Sequence, residues 1–154
     1  MRIFLCLLLV VCFTFTGYLL SQKYKKRKDF YLGFKNFNSK LSTEINFTKN
    51  SMVKIISELN DDTLFNLEIK KYIKNSVSYI FMDKYLTNDE VQFFYDYLKN
   101  LGVSDSETQL NFLNNINESL VEKCELTEKE YKRYKPLYIK LGFLLGLIIG
   151  IILL

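Results

Sequence analysis

The chain has 154 residues, the size of one ordinary domain, so a machine of several domains is excluded. It contains no histidine, tryptophan or alanine. Histidine is the commonest general base and the commonest zinc ligand, so its absence leaves few routes to hydrolytic or metal chemistry. We therefore expect a protein that is not an enzyme and has no catalytic residue, metal or cofactor.

The net charge of +4 is unevenly distributed along the chain. Residues 1–28 have a net charge of +6, residues 29–128 carry 10 basic and 16 acidic side chains, and residues 129–154 have a net charge of +4. An acidic middle thus separates two basic collars. A nucleic-acid partner would require basic charge on the folded part of the chain, so we expect none. The collars are Lys23, Lys25, Lys26, Arg27 and Lys28, followed by Lys132, Arg133 and Lys135.

Residues 1–21 are predicted to form a transmembrane helix. Residues 3–20 are uncharged, and as a helix they would extend about 27 Å, close to the ~30 Å hydrocarbon core of a bilayer. A cleaved signal peptide is the alternative. However, the apolar run is longer than the usual ~7–15 residues, it lacks a small-x-small cleavage site, and a basic cluster follows it. These features favour a retained anchor.

Residues 22–136 are predicted to form one helical bundle. The first helix has apolar residues at steps of three and four: Phe30, Phe34, Phe37, Leu41 and Ile45. After a break at residues 46–50, Ser51 can cap a short segment that carries Val53, Ile56 and Leu59. Asp61 and Asp62 are candidate N-caps of the next helix, whose expected inward residues are Leu64, Leu67, Tyr72, Val77 and Ile80.

Two capping boxes predict the later helices of the bundle. Thr87 with Glu90, and Ser104 with Glu107, both have the S/T-x-x-E spacing that satisfies helix N-terminal amides. The first predicts a helix that buries Val91, Phe94, Tyr97 and Leu98 and ends at Gly102. The second predicts a helix that reaches Pro136 and carries Leu110, Leu113, Ile116, Leu120, Cys124 and Tyr131.

Residues 137–154 are predicted to form a second transmembrane helix. Gly142, Gly146 and Gly150 repeat at a spacing of four, which places them on one helix face where another backbone can approach closely. Glycine is also frequent in membrane helices without such a role. The partner of this face is either a second subunit or the first span, where Thr16 and Gly17 are the nearest candidates.

The basic collars predict the orientation of both spans. Five basic residues follow the first span whereas Arg2 alone precedes it, and the second span has its basic residues on its N-terminal side. Because positively charged flanks remain in the cytoplasm, we expect the whole middle of the chain to be cytoplasmic.

Three acidic clusters lie in the middle of the chain: Asp61 with Asp62, Asp89 with Glu90, and Glu122 with Glu125. Paired carboxylates can act as an acid and a base, but acidic residues are also favoured at helix N-termini. The capping interpretation is preferred for Asp61, Asp89 and Glu90. The sequence contains no phosphate-binding loop, nucleophile elbow, CxxC pair or dinucleotide fingerprint.

Four segments resemble the stage III sporulation protein AB family of endospore-forming bacteria. They are KLGFLLGLIIGIILL at residues 140–154, TFTGY at 14–18, LSTEI at 41–45 and FYDYLKNLGVSDSETQ at 94–109. The LGF-x-x-G-L pattern near the C-terminus is the most specific of them. The family tends to have an Arg-rich stretch with proline after the first span, where this chain has KYKKRKDFYL.

The resemblance implies a cytoplasmic domain similar to that of type II secretion inner-membrane platform protein F. It also implies a location in the mother-cell membrane around the forespore, next to a secretion-type ATPase of the same operon, stage III sporulation protein AA. The protein would then be a scaffold in an oligomeric channel complex that joins the two cells. We expect the three acidic clusters to dock a basic surface of the ATPase. A small pore-forming, holin-like membrane protein is the alternative function.

Overall fold

The structure is a computed structural model that describes residues 2–47, 63–74 and 85–153. It contains α1 (Arg2–Phe47), α2 (Leu64–Lys74), α3 (Asn88–Asn100) and α4 (Ser106–Leu153). Every regular element in these three ranges is a helix, which confirms the predicted all-α fold with a long apolar helix at each end. The predictions for Ser51, Val53, Ile56, Leu59, Asp61, Asp62, Val77 and Ile80 lie outside the described residues.

The chain divides into two compact units. The first, which we call the helical pair, comprises Met1–Lys26 and Thr127–Leu154. The second, the bundle unit, comprises Arg27–Leu126. Helix α4 continues through Pro136, although proline cannot donate the backbone hydrogen bond of its own turn. Helix α1 likewise continues from the first predicted span into the first predicted helix of the bundle.

Aromatic side chains form the centre of the bundle unit. The rings of Phe34 and Phe65 stack with centroids 4.4 Å apart, and the ring of Tyr97 meets Phe34 edge-on at 4.6 Å. Phe30 contacts both Phe65 and Phe94, with each pair of centroids 5.6 Å apart. Such tilted and offset pairs add to the free energy gained by burying the rings. The predicted inward face of α1 is confirmed, since Phe30, Phe34, Phe37 and Leu41 are all buried.

The predicted inward face of α2 is correct at Leu64 and Tyr72, which are partly buried and pack against the core, and wrong at Leu67. Phe65 and Ile69 are fully buried, whereas Leu67 is 37% exposed. Helix α2 begins at Leu64, and its first amides are capped by Thr63, whose Oγ1 accepts a hydrogen bond from the amide of Asn66 at 3.1 Å. In a helix of 11 residues with apolar side chains at several phases, the periodicity fits two faces, and packing against the α1 phenylalanines selects the face with Phe65.

Of the two predicted capping boxes, one is confirmed. Thr87 caps α3, its side chain accepts from the amide of Glu90, and the Glu90 carboxylate accepts from the amide of Thr87. Helix α3 ends at Asn100, and Gly102 adopts the left-handed φ of 73° expected beyond a helix end. The second box is wrong by one residue.

Helix α4 is capped by Asp105 and not by Ser104. Asp105 Oδ2 accepts a hydrogen bond from the amide of Thr108 at 3.3 Å. Ser104 Oγ donates instead to Gln109 Oε1, which also accepts from the amide of Gly102. The aspartate oxygen is a stronger acceptor for these amides, and its negative charge is favoured at a helix N-terminus.

Candidate functional site

Small residues bring α1 and α4 into backbone contact within the helical pair. The two helices run antiparallel, so residues later in α1 contact residues earlier in α4. A Cβ atom added to Gly17 would collide with the backbone carbonyl of Tyr138, and one added to Gly142 would collide with that of Phe13. A Cβ added to Gly146 would lie 2.8 Å from the Cα of Val10. A larger residue at any of these three positions would therefore push the helices apart.

Gly150 is packed less tightly than the other three glycines. A Cβ added there would be 3.7 Å from the Cβ of Cys6, which is an ordinary contact. The Cys6 thiol donates a weak hydrogen bond to the Gly150 carbonyl at 3.4 Å. Thr16, the other candidate partner from the first span, is exposed and its hydroxyl donates to the Cys12 carbonyl. The four glycines thus lie together within one chain, and Gly17, not Thr16, contacts the second helix.

The outer surface of the helical pair is apolar. Each long helix contains an 18-residue stretch that is long and apolar enough to cross a membrane. Only 17% of the residues in each stretch are buried. Phe4 is 73% exposed and Ile152 is 77% exposed. A core helix of a water-soluble domain would bury such side chains, because exposing them to water costs free energy. This surface therefore fits a lipid environment.

Tyrosines and cations surround one end of the helical pair. The ring of Tyr24 in α1 stacks on Tyr134 of α4 at 4.7 Å and lies 5.8 Å from Tyr138. The hydrogen bond with Tyr138, together with burial, raises the pKa of Tyr24 to about 12, so the phenol remains neutral. Five collar residues of this unit are exposed, namely Lys23, Lys25, Lys26, Lys132 and Arg133. The sixth, Lys135, is half-buried.

A buried polar cluster lies in the bundle unit. Arg27 donates through Nε to both Glu90 oxygens at 3.1 Å and through a terminal nitrogen to Oε1 at 2.9 Å. The Tyr31 hydroxyl also donates to Glu90 Oε1 at 2.9 Å, and the Thr87 amide donates to Oε2 at 2.9 Å. The cluster therefore joins α1 to the start of α3 through bidentate, charge-assisted hydrogen bonds.

The electrostatics of this cluster favour the ion pair. Burial alone would raise the pKa of Glu90, but the hydrogen bonds from Arg27, the Thr87 backbone and Tyr31 hold that pKa below its usual range. Burial, together with the negative charge of Glu90, raises the pKa of the Tyr31 phenol. Glu90 is thus an anion and Tyr31 a neutral donor at neutral pH.

The candidate docking residues have different environments. Glu90 is only 6% exposed and its oxygens face Arg27, Tyr31 and Thr87, so it does not belong to a docking surface. Its burial results from Arg27 and Tyr31 of α1, which pack against the carboxylate and donate hydrogen bonds to it. Asp89, Glu122 and Glu125 are exposed. Asp61 and Asp62 lie outside the described residues.

The comparison with known proteins identifies the family. The family model described as Stage III sporulation protein AB matches residues 63–154. The chain belongs to the stage III sporulation protein AB family. Membership gives it a role in sporulation. No curated protein and no solved structure matches the chain.

The match to the stage III sporulation protein AB family covers α2, α3 and α4. It includes the segments at residues 94–109 and 140–154 that carry the resemblance in the sequence, and therefore also Gly142, Gly146 and Gly150. The segments at residues 14–18 and 41–45 lie outside the match. Gly17 and Arg27 also precede it, so the partners of these glycines and of Glu90 come from the unmatched helix α1.

The Arg27–Glu90–Tyr31 cluster was not predicted from the sequence. Glu90 was recognised only as the last residue of a capping box, and Arg27 only as part of a basic collar. The pairing joins residues 63 positions apart, and a local pattern contains no signal for it. Among the described residues, no group of three or more His, Cys, Asp or Glu side chains could hold a metal ion.

Proposed function

We propose that this member of the stage III sporulation protein AB family is a membrane scaffold in a secretion-like channel complex between mother cell and forespore. The helical pair holds the chain in the mother-cell membrane around the forespore. The bundle unit lies in the cytoplasm, resembles a type II secretion platform domain, and couples the ATPase stage III sporulation protein AA to the membrane complex.

The apolar surface of the helical pair carries the proposal. Two antiparallel helices that contact each other through glycine backbones have no space between them for a core of large apolar side chains. Most of those side chains therefore point outward. Lipid can cover that surface without cost, because lipid tails are as apolar as leucine. The exposed basic residues at one end of the pair support a cytoplasmic position for that end.

The charge of the bundle unit supports docking to a basic partner. The unit contains 12 basic and 15 acidic side chains, a net charge of −3, and Glu122 and Glu125 are exposed in the same stretch of α4. Complementary charge of this kind steers association and weakens as salt rises. We therefore place the ATPase contact at Glu122 and Glu125, with Asp89 as a further candidate.

The test measures the affinity of the purified full chain, in detergent, for stage III sporulation protein AA. Glu122→Gln with Glu125→Gln is compared with Asp96→Asn with Glu107→Gln, which removes the same charge from exposed acids outside the proposed contact. We expect Glu122→Gln with Glu125→Gln to weaken binding about tenfold at low salt, because two charges at the edge of the interface are lost. The control variant should change the affinity by less than about twofold.

An affinity that is the same at low and high salt would contradict the electrostatic contact. Equal losses in the two variants would place the contact elsewhere on the bundle unit. Binding that is absent in the unaltered chain would contradict the coupling to this ATPase. A reporter fused between α2 and α3 that is active only outside the membrane would contradict the cytoplasmic position of the bundle unit.

A further inference from the structure

The end of the helical pair that carries the collars is strongly cationic. The helical pair contains nine basic and two acidic side chains, a net charge of +7, and eight of the nine cations lie in residues 23–26 and 129–140. Most of them are exposed. The two anions are Glu128, which pairs with Lys132 at 2.7 Å, and Glu130. The excess positive charge is therefore not neutralised within this unit.

The tyrosines order this end and position two of the cations. Tyr24, Tyr134 and Tyr138 pack against one another between the helices, so the neighbouring lysines are directed away from the contact. The Arg133 guanidinium lies 5.6 Å from the centroid of the Tyr134 ring, and the Lys135 amine lies 5.3 Å from that of Tyr131. Cations held over aromatic faces in this way present their remaining donors outward.

Exposed apolar side chains begin directly beside the cations. In α1, Tyr18, Leu19 and Leu20 are 42%, 53% and 57% exposed and precede Lys23 by three to five residues. In α4, Leu137 and Leu141 are both 47% exposed and follow the basic residues 132–135. A ligand for this surface needs an anionic group level with the cations and a hydrocarbon portion level with the leucines.

We propose that the eight cations at this end bind the phosphate headgroups of anionic phospholipids and hold a selected lipid shell around the helical pair. We call them the cationic ring: Lys23, Lys25, Lys26, Lys129, Lys132, Arg133, Lys135 and Lys140. The inference rests on the membrane position in the proposed function, but it adds a ligand class and a binding surface. A lipid satisfies both requirements, since its phosphate contacts the lysines and its acyl chains cover the exposed leucines. A soluble phosphate would leave the adjoining apolar surface uncovered.

The test reconstitutes the full chain in phosphatidylcholine vesicles and measures its association with spin-labelled lipids by electron paramagnetic resonance. The measured quantity is the association constant of labelled phosphatidylglycerol relative to labelled phosphatidylcholine. We expect a preference of about fivefold for the anionic lipid, which corresponds to one Lys or Arg near each headgroup. The preference should decrease with added salt.

Two matched variants locate the preference. Lys23→Gln with Lys25→Gln and Lys26→Gln removes three charges from the cationic ring. Lys35→Gln with Lys40→Gln and Lys99→Gln removes three from the bundle unit. We expect the first variant to lose at least half of the preference and the second to retain it. Circular dichroism of each variant checks that the helix content is unchanged.

Each remaining outcome overturns the inference. Equal association of the two lipids with the unaltered chain, or equal losses in the two variants, would show that the ring does not select lipids. Loss of the preference on adding glycerol 3-phosphate at the same phosphate concentration would show that the site takes a soluble anion. Failure of the chain to insert into phosphatidylcholine vesicles would overturn the membrane position as well, whereas insertion without preference overturns this inference alone.

Discussion

The helical pair and the bundle unit are stabilised by opposite means. In the helical pair, the contact contains few side chains, because Gly17, Gly142 and Gly146 let the two backbones touch and the large residues point outward. In the bundle unit, side chains fill the contact, with aromatic rings at its centre and the Arg27–Glu90 pair beside them. The difference shows which surface each unit is built to expose, apolar in the first and charged in the second.

One of the two largest expected effects is in the aromatic core. Phe34→Ala should lower the free energy of unfolding by about 3–5 kcal/mol, because Phe34 is fully buried against Phe65, Phe94 and Tyr97 and its loss leaves a cavity. Leu144→Ala is the control in the helical pair, since Leu144 is 52% exposed and detergent or lipid replaces its contacts. Guanidinium unfolding of the full chain in detergent measures both, and similar losses would contradict the contrast between the units.

Removing the charge of Glu90 tests whether a buried ion pair belongs to the bundle unit. Glu90→Gln removes the carboxylate charge that faces the largely buried Arg27, and we expect a loss of about 3–5 kcal/mol. Asp89→Asn, one residue away and exposed, should cost less than about 1 kcal/mol, the value of a charge at a helix N-terminus. The same unfolding titration applies, and equal effects of the two substitutions would argue against the pair.

The glycines of the helical pair should respond to alanine in a graded order. Gly17→Ala and Gly142→Ala place a methyl group against a backbone carbonyl and should cost about 1–3 kcal/mol. Gly150→Ala has space and should be neutral or stabilising by up to about 1 kcal/mol, since alanine favours helix more than glycine does. Thermal unfolding in detergent gives the ranking. Equal tolerance at the three sites would mean that the glycines are not needed for contact.

The smallest expected effect is a dependence on pH. The pKa of Glu90 is lower in the folded chain than in the unfolded chain, so its contribution to stability is complete above the ordinary carboxyl pKa and is lost as the pH falls through the folded value. Unfolding midpoints measured from pH 7 to pH 3 should therefore fall less in Glu90→Gln than in the unaltered chain. Parallel curves for the two proteins would assign the acid sensitivity to other groups.

Local patterns predicted much of the fold. The spacing of the α1 phenylalanines and the Thr87 box depend on neighbours within one or two turns, and both are confirmed. The face of α2 was predicted only in part, since Phe65 and Ile69 were missed, because the inward face of a short helix with several apolar phases depends on what packs against it. The partner of Glu90 lies far away in sequence, and no local spacing determines it. The glycine spacing named Gly17 as one candidate partner but left a second subunit open, and only the structure pairs Gly17 with Gly142.

Arg27 has one proposed role during membrane insertion and another in the folded chain. In the proposed topology, it counts among the positive charges that retain the collar in the cytoplasm while the first span inserts. Once α3 has formed, Glu90 neutralises it and the same guanidinium fastens α1 to the start of α3. In the folded chain the charge of Arg27 is therefore compensated by Glu90, whereas during insertion it would still count toward the charge that orients the first span.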